Sequence, residues 1–397
     1  MTTWAPFITA LAFFIVLGLV VSSVSRLLVC IVVRHRPRAS PGSAKVNIMK
    51  PLCGAEPSLP ENLSAFSRQT HQNLDIVFGV ADLRDEALRV ALRFCREHEG
   101  LATRISVGEV GRVHNPKLAL LERMSWACDG EWLVVSDSNV RVNDDYVQDA
   151  LAHAGPDVGL VTHLVSGCGG GSVAAHLENL QLNCFVAPGV CGVRFIAGRT
   201  CVIGKSMFLR RDALDRIGGF EAAGQFLAED YVMGRAIEQA GYRVVTAAVP
   251  VHAWNEGWTF TRFVGRHLRW AVMRRRVSRS AYLMEPLLTP APALAALLGI
   301  GLWYPESGIN NSWVGASLVF EQLLDAVTFS RMTGRRVPLA AVLLNPLRQC
   351  LTLWIWAMGW FVQNVEWRGK VFRVGAGSKL EPLEQAEQVC TGVADEA

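Results

Sequence analysis

Two short segments carry charged side chains that could act together in a group-transfer reaction. Glu229 and Asp230 stand side by side before a helical pattern, and Arg266 and Arg269 lie three residues apart, next to Trp270. A carboxylate can take a proton from an attacking hydroxyl, and residues three apart share a helix face. Two guanidinium groups on one face can bind diphosphate oxygens. These residue types therefore favour transfer of a group from an activated phosphate donor.

Each segment also has a purely structural interpretation. Acids at a helix start, such as Asp230, are stabilised by the helix dipole whatever their function. The two arginines could form a solvated basic face, although Phe260, Phe263 and Trp270 lie beside them and make that face less favoured.

Two further aspartates end hydrophobic runs that are typical of buried strands. Asp82 follows residues 74–80, and Asp137 follows residues 131–136. Strands that alternate with helical patterns predict an α/β fold with a mostly parallel sheet, in which ligands bind at the carboxyl ends of the strands. Asp137 could hold Mg²⁺ or Mn²⁺ against a diphosphate, or only cap a turn. Asp82 could bind a nucleotide base or ribose, or cap a helix.

Other polar segments are less specific. Lys117 follows Asn115-Pro116 and either contacts a phosphate donor or is a surface lysine. Asn143 is predicted to be a helix N-cap, with Asp144 and Asp145 in the first turn.

Two glycine-containing segments resemble phosphate loops without matching their spacing. Residues 167–172 fit neither the dinucleotide fingerprint nor the P-loop, and are predicted to form a mobile loop on the acceptor side. Gly204-Lys205-Ser206 resembles the end of a P-loop, but Arg199 stands where that motif needs glycine, so the motif is rejected.

Apolar segments of membrane-crossing length lie near both ends of the chain. Residues 9–33 are almost continuously apolar and are followed by the basic run 34–38. About 20 such residues span a bilayer, and a basic flank favours a cytosolic location for the domain after it. Residues 287–302 and 313–329 are candidate spans. Residues 339–362 contain polar side chains, which favours an interfacial or re-entrant element for part of that stretch.

These patterns predict five parts and an integral, multi-pass membrane protein. The parts are a transmembrane anchor (1–34), a linker (35–44), a cytosolic catalytic domain ending in an interfacial basic helix (45–280), membrane segments (281–364) and a cytosolic tail (365–397).

Composition agrees with a membrane enzyme that meets no nucleic acid. Half of the residues (51%) are hydrophobic, and the net charge is only +4. The 10 cysteines are scattered singly, which is typical of reduced thiols in a cytosol. Arginine greatly outnumbers lysine, as in GC-rich bacterial genomes, so we expect a bacterial inner membrane rather than a Golgi membrane.

The order of these residues resembles the ceramide glucosyltransferase branch of the processive-type inverting glycosyltransferases. That branch carries three aspartates followed by Gln/Arg-x-x-Arg-Trp, which fall here on Asp82, Asp137, Asp230 and Arg266-x-x-Arg269-Trp270. The similarity spans roughly residues 50–373 and includes Lys50-Pro51-Leu52-Cys53-Gly54 with Pro57, Asn115-Pro116-Lys117, Asp137-Ser138-Asn139-Val140-Arg141-Val142, Ala228-Glu229-Asp230-Tyr231 and Trp367-Arg368-Gly369.

The resemblance implies a GT-A nucleotide-diphospho-sugar transferase fold, a Rossmann-like sheet, with transmembrane helices at both ends. It implies a UDP-sugar donor, a divalent cation (Mg²⁺ or Mn²⁺) and inversion at the anomeric carbon. The implied roles are Asp82 near the uridine, Asp137 at the metal and the diphosphate, and Asp230 as the base. Arg266, Arg269 and Trp270 are implied at the diphosphate or acceptor, and Lys117 belongs to the donor side.

The substrates implied by the resemblance are UDP-glucose and ceramide, giving β-glucosylceramide. Transfer of N-acetylglucosamine from its UDP donor to a hopanoid or another lipid alcohol is the main alternative. A processive polysaccharide synthase and a non-catalytic binding protein are the others. Two departures from the animal enzymes concern the acceptor: Val186-Ala187-Pro188 stands in place of a histidine-proline pair, and Met207 in place of a cysteine.

Overall fold

An eight-stranded sheet lies at the centre of the computed structural model, which describes residues 5–34, 43–111, 113–367 and 370–382. Most of the predicted linker, residues 368–369 of the Trp-Arg-Gly motif and the tail beyond residue 382 lie outside the described residues. The strands are β1 (Val46–Pro51), β2 (Leu74–Val80), β3 (Ala102–Val107), β4 (Trp132–Ser136), β5 (Val140–Arg141), β6 (Val158–Cys168), β7 (Ser206–Arg210) and β8 (Arg243–Trp254).

The sheet is mixed, with mostly parallel pairs. Its order is β3-β2-β1-β4-β7-β6-β8-β5. β1, β2, β3 and β4 are parallel neighbours, as are β6 and β8, whereas β7 runs antiparallel to both β4 and β6. The predicted α/β class and mostly parallel sheet are confirmed.

Several details of the sheet differ from the sequence-based expectation. The two-residue strand β5 was not predicted, and β6 continues beyond the predicted 158–165 to Cys168. The strand predicted over 200–209 begins only at Ser206, and the residues before it form a loop that reaches the site. The strand predicted over 242–249 continues to Trp254. β3 was not predicted; it is an edge strand whose residues are only half-buried, so it lacks a long apolar run.

Helices cover the faces of the sheet and form most of both ends of the chain. They are α1 (Ala5–Val32), α2 (Leu59–Ser67), α3 (Glu86–Glu97), α4 (Pro116–Ser125), α5 (Tyr146–Leu151), α6 (Val173–Gln181), α7 (Ala187–Ala197), α8 (Arg211–Arg216), α9 (Glu229–Gln239), α10 (Phe260–Val277), α11 (Arg279–Met284), α12 (Ala291–Trp303), α13 (Asn311–Thr333) and α14 (Leu339–Met358). A π-helical segment, Leu182–Val186, joins α6 to α7.

The predicted cap at Asn143 is wrong. α5 begins at Tyr146 after Asp145, and the Asn143 carbonyl instead accepts a hydrogen bond (2.9 Å) from the Gln69 side-chain amide. The chain is therefore still in a loop at Asn143, held against the end of α2.

Within the part of the chain that the structure describes, three helices are long and apolar enough to cross a membrane: Ala10–Val32, Val173–Ala197 and Leu339–Met358. The first agrees with the predicted anchor, and the third runs on through Pro346. The second, which includes α6 and α7, was not predicted. Residues 279–288 and 291–303 together form a bent apolar pair with a 53° angle.

The span predicted at 313–329 lies in α13, which is helical but is not among the helices apolar enough to cross a membrane. Glu321 and Asp325 lie in its middle. Both carboxylates are buried. Arg26 of α1 pairs with Asp325 at 2.6 Å and Glu321 at 3.4 Å, and Arg348 of α14 pairs with Asp325 at 3.0 Å. We call these four residues the helix-bundle ion cluster.

A small antiparallel sheet follows α14, where the sequence predicted only a tail. Its strands are β9 (Asn364–Trp367), β10 (Lys370–Val374) and β11 (Leu380–Pro382). The Leu227 N–H donates to the Ser378 carbonyl (2.9 Å), and the Leu380 N–H donates to the Gln225 carbonyl (2.7 Å). This sheet therefore holds the loop that leads into α9.

Candidate active site

The centre of the site is Asp137, directly after β4. Its carboxylate contacts the Lys117 ammonium at 2.9 Å and the Lys205 ammonium at 3.2 Å. Burial alone would raise the pKa of Asp137, but the two ammonium groups hold it well below its usual range. Its backbone carbonyl accepts a hydrogen bond (2.6 Å) from the buried Lys50 ammonium, at the end of β1. Asp137 is therefore ionised, fixed and surrounded by positive charge.

Lys117 connects Asp137 with the start of α9. Asn115 caps α4 by accepting from the backbone N–H groups of Lys117 and Leu118, which fixes the first turn. The Lys117 ammonium donates to the Gly204 carbonyl (2.8 Å) and lies 3.6 Å from Glu229 Oε1. Burial opposes its charge, but Asp137 and Glu229 keep the pKa of Lys117 above its usual value. The surface-lysine alternative is thus wrong.

Asp230 lies in the first turn of α9 and faces the loop before β7. Its Oδ2 accepts from the Gly204 N–H (2.7 Å), and its Oδ1 from the Tyr231 N–H (2.8 Å). Burial raises the pKa of Asp230, against those two N–H groups and Lys117. In neighbouring Glu229, burial and the Asp230 charge raise the pKa to about 7 although Lys117 opposes them. A carboxylate whose pKa is raised in this way is suited to proton transfer near neutral pH.

Arg266, on α10, lies over two aromatic rings, one on the same helix and one just before it. Its guanidinium lies 4.5 Å from the Trp270 ring centroid and 5.1 Å from that of Trp258. It also pairs at 3.2 Å with Glu178 of α6, a fully buried carboxylate that contacts His267 at 2.6 Å. Arg266 is therefore held in one orientation from three sides.

Arg269 lies one turn along α10 on the same side. It donates to the Glu366 carbonyl of β9 at 3.4 Å. Burial and the neighbouring Arg266 lower the pKa of Arg269 to about 10, while Glu229 opposes this shift. The Glu229 effect places the Arg269 guanidinium within electrostatic reach of the start of α9.

Asp82 lies apart from this group. It is exposed beyond β2, two strands from β4 in the sheet. Its carboxylate accepts from the Arg84 N–H (2.8 Å), while Asp85 caps α3. The helix-cap alternative for Asp82 is wrong, and its carboxylate faces solvent at the carboxyl edge of the sheet.

The side chains around Asp137 do not fit the predicted divalent cation. Both carboxylate oxygens are taken by ammonium groups, and the Asn139 side-chain oxygen accepts from Lys205 at 2.7 Å. Within the described residues no cluster of three or more His, Cys, Asp or Glu could hold a metal ion. A cation at Asp137 would have to displace Lys205.

Sequence reasoning missed two residues of the site, Lys205 and Glu178. The sequence presents Lys205 only as part of a rejected P-loop, and Glu178 belongs to no motif. Both side chains are buried. The sequence signal that could have indicated this is a single charged residue within an otherwise apolar stretch. The residues that replace the animal histidine-proline pair, Val186 to Pro188, lie at the π-to-α junction, and Met207 is a core residue of β7.

The sequence of the whole chain can now be compared with known proteins. A profile described as Glycosyl transferase family 21 matches residues 10–380. The chain belongs to this family. The family 21 enzyme is 22% identical over 365 residues to ceramide glucosyltransferase 1 of Caenorhabditis elegans, covering 89% of this chain and 77% of that protein. It is also 22% identical over 374 residues to ceramide glucosyltransferase 3 of the same organism, covering 88% and 76%.

Two solved glycosyltransferase structures are similar to the chain at low sequence identity. The mannosyltransferase PcManGT from Pyrobaculum calidifontis, in complex with GDP-Man and Mn²⁺, gives a TM-score of 0.49 at 17% identity, covering 87% of this chain and 98% of that one. TarS residues 1–349 from S. aureus, in complex with UDP-GlcNAc, gives 0.38 at 11% identity, covering 86% and 100%.

Family membership confirms the predicted resemblance and the hexosyltransferase class. The family 21 enzyme is a glycosyltransferase similar to ceramide glucosyltransferases, with apolar helices near both ends of its described residues.

Proposed function

We propose that the family 21 enzyme transfers glucose from UDP-glucose to the primary hydroxyl of ceramide, inverting the anomeric carbon. The observation that carries the proposal is the position of Asp230. This carboxylate has a raised pKa and lies beside the Lys117–Asp137 pair, with Arg266 and Arg269 on the neighbouring helix. Donor and acceptor identities come from the family and its ceramide-specific relatives.

Asp230 is the proposed general base. It accepts the proton of the attacking hydroxyl, and the Gly204 N–H fixes the carboxylate at 2.7 Å. Because inversion needs a single displacement, the base and the leaving group must lie on opposite sides of the sugar. The hydroxyl oxygen forms the new glycosidic bond as the bond to the UDP oxygen breaks.

The leaving UDP is the proposed ligand of the arginines on α10. Guanidinium groups stabilise charge that develops on a diphosphate when they are already oriented before the reaction. The Glu178 contact and the two indole rings provide that orientation for Arg266. Trp270 would also form one side of the sugar-binding site, and Asp82 would bind the uridine from the edge of the sheet.

The acceptor is proposed to enter from the membrane. A cleft of about 500 Å³ is lined by Gly169 to Gly171, Trp254 and Arg335, and Arg335 follows α13. The Trp254 N–H donates to the Asn139 carbonyl at 2.7 Å, so this cleft adjoins the Asp137 group. We place the apolar helices in a bacterial inner membrane and the catalytic domain in the cytosol.

Mass spectrometry of lipid products tests the proposal. Purified full-length protein in detergent is offered a panel of UDP-sugars with ceramide and, separately, with a hopanoid alcohol. The expected product is β-glucosylceramide from UDP-glucose. Amino-sugar transfer to the hopanoid alone would select the alternative substrates, and no UDP release from any combination would contradict the enzymatic proposal.

A further inference from the structure

Lys205 is bound to oxygens that could otherwise hold a donor-binding cation. It lies just before β7, and its ammonium contacts Asp137 Oδ2 at 3.2 Å and Asn139 Oδ1 at 2.7 Å. An aspartate and an amide two residues apart are oxygen ligands of the kind that Mg²⁺ and Mn²⁺ prefer. Here one protein ammonium group already bridges them.

The surrounding charges favour an anion over a further cation. Lys117 takes the other Asp137 oxygen at 2.9 Å, and Lys50 donates to the Asp137 carbonyl at 2.6 Å. Burial and the charge of Arg266 lower the pKa of Lys205 to about 8, although Asp137 opposes them. A divalent ion would meet repulsion from Lys117, Lys205 and Arg266, whereas a diphosphate would be attracted to them. Burial lowers the pKa of Lys50 to about 7, so its contribution is smaller.

Lys205 also has a donor to spare for a phosphate oxygen. A lysine ammonium carries three N–H groups, and Asp137 and Asn139 are the two acceptors that the described residues provide. The side chain is 8% exposed, so part of it reaches the surface of the site. The charge of Arg266 also acts on Lys205, so a diphosphate bound to Lys205 would lie within electrostatic reach of that guanidinium.

We propose that the Lys205 ammonium takes the place of a divalent cation and binds the donor diphosphate directly, so that the enzyme binds nucleoside diphosphate without metal. The inference rests on the proposed function, because it assumes a diphosphate donor. Lys205 donates a hydrogen bond to the diphosphate in the bound state and stays protonated when the diphosphate departs.

Calorimetric titration of the full-length protein with UDP tests this inference. In excess EDTA the wild type should bind UDP nearly as tightly as it does with Mn²⁺. Lys205→Met removes the charge but retains the length of the side chain, and it should weaken UDP binding in EDTA by about 10- to 100-fold, as expected for a charged hydrogen bond. Added Mn²⁺ should restore affinity to the variant, because Asp137 and Asn139 are then open to it. Lys205→Arg should retain binding in EDTA.

Lys45→Met is the matched control. Lys45 is also paired with an aspartate, Asp129 at 2.6 Å, but it precedes β1 at the opposite edge of the sheet. The Lys45→Met variant should bind UDP like the wild type, both in EDTA and with Mn²⁺. Wild-type binding that vanishes in EDTA and returns with Mn²⁺ overturns the inference but leaves the glycolipid product intact. Absence of UDP binding under every condition contradicts the inference and the proposed function together.

Discussion

Adjacent carboxylates at the start of α9 influence each other strongly. Glu229 is buried and Asp230 half-buried, and the negative charge of Asp230 disfavours ionisation of Glu229. Lys117 lies 3.6 Å from Glu229 and compensates part of this repulsion. The pair can therefore hold a proton close to neutral pH, which two exposed acids would not do.

Replacing Asp230 by asparagine should remove the base and retain the site. Asparagine can still accept from the Gly204 N–H through its carbonyl oxygen. We expect turnover to fall by about 10²- to 10⁴-fold, with UDP affinity almost unchanged. Product formation and UDP titration on the same preparation separate these effects. Near wild-type turnover would show that another group takes the proton.

Replacing Glu229 by glutamine should remove a group that titrates near neutral pH. Burial and the Asp230 charge raise the pKa of Glu229 to about 7, although Lys117 opposes them. A glutamine loses no proton in this range, so a limb of the rate profile near pH 7 that belongs to Glu229 should disappear, while Asp230 still acts as the base. The profile of kcat against pH for both proteins measures this. A limb that stays in place would show that Glu229 does not titrate in the range that limits turnover.

Single residues of the site could be predicted only where a motif marks them. Asp137, Asp230 and Arg266 follow from spacing that matches a family pattern. Lys205 contacts Asp137, 68 residues away, and Glu178 contacts Arg266, 88 residues away. No local sequence pattern predicts such contacts. Lys117 was ambiguous for the same reason, since its burial depends on the loop at Gly204.

Helices α6 and α10 are joined at the site by one buried carboxylate. Glu178 of α6 contacts both Arg266 and His267 of α10. This contact links a helix of membrane-crossing composition to the guanidinium that is proposed to bind the leaving group.

Glu178→Gln should weaken donor binding more than it slows turnover. The amide retains the shape of the side chain but loses the charge that orients Arg266. We expect the KM for the donor to rise by about 10-fold or more, with a smaller effect on kcat, and Glu178→Asp to recover part of the affinity. The control is Glu285→Gln, because Glu285 pairs at 2.6 Å with Arg274 farther along α10. Equal effects in both variants would indicate general loss of helix packing.

The end of α14 packs closely on α10 and α11. A Cβ at Gly359 would clash with Tyr282 Oη and lie 3.0 Å from Ala271 Cβ. Gly359→Ala should therefore displace Tyr282, whose hydroxyl donates to the Trp356 carbonyl, and lower the free energy of unfolding by about 1–3 kcal/mol. Thermal unfolding in detergent measures this. Gly299→Ala in α12, with open space around it, should be neutral or slightly stabilising.

Elements were predictable where a long apolar run sets their limits. β2 was predicted with its observed bounds, and α1 coincides closely with the predicted anchor. The start of β7 was misplaced because Cys201, Val202 and Ile203 continue its apolar run although they form a loop. The sheet β9–β11 was missed because its strands are short and paired mainly with one another.

At the scale of the whole molecule, the helix-bundle ion cluster connects both ends of the chain. The charges of its two arginines and two acids sum to zero, and the Ser22 hydroxyl donates a hydrogen bond to Glu321 at 2.8 Å. Buried ion pairs often contribute little net stability, but removing one partner leaves a buried charge without compensation. The cluster therefore favours packing of α1, α13 and α14 against one another.

Arg26→Met should destabilise the bundle by about 3–5 kcal/mol. Glu321 would then lose its ion pair, while Asp325 would keep Arg348. The double variant Arg26→Met with Glu321→Gln removes both charges and should recover much of the loss. Unfolding of both variants in detergent, followed by tryptophan fluorescence, makes the comparison. Equal stability of single and double variants would show that the Glu321 charge is not the cause.

The distance along the chain between Arg26 and Asp325 has a consequence for biogenesis. They are 299 residues apart, and a ribosome adds about 5–20 residues per second. Roughly 15–60 s therefore pass between synthesis of Arg26 and synthesis of its partner Asp325, and during this time Arg26 of α1 has no ion-pair partner from α13. During that time the insertion machinery or the lipid headgroups must shelter Arg26. Nascent chains that stall within this interval are the ones that we expect membrane quality-control proteases to remove first.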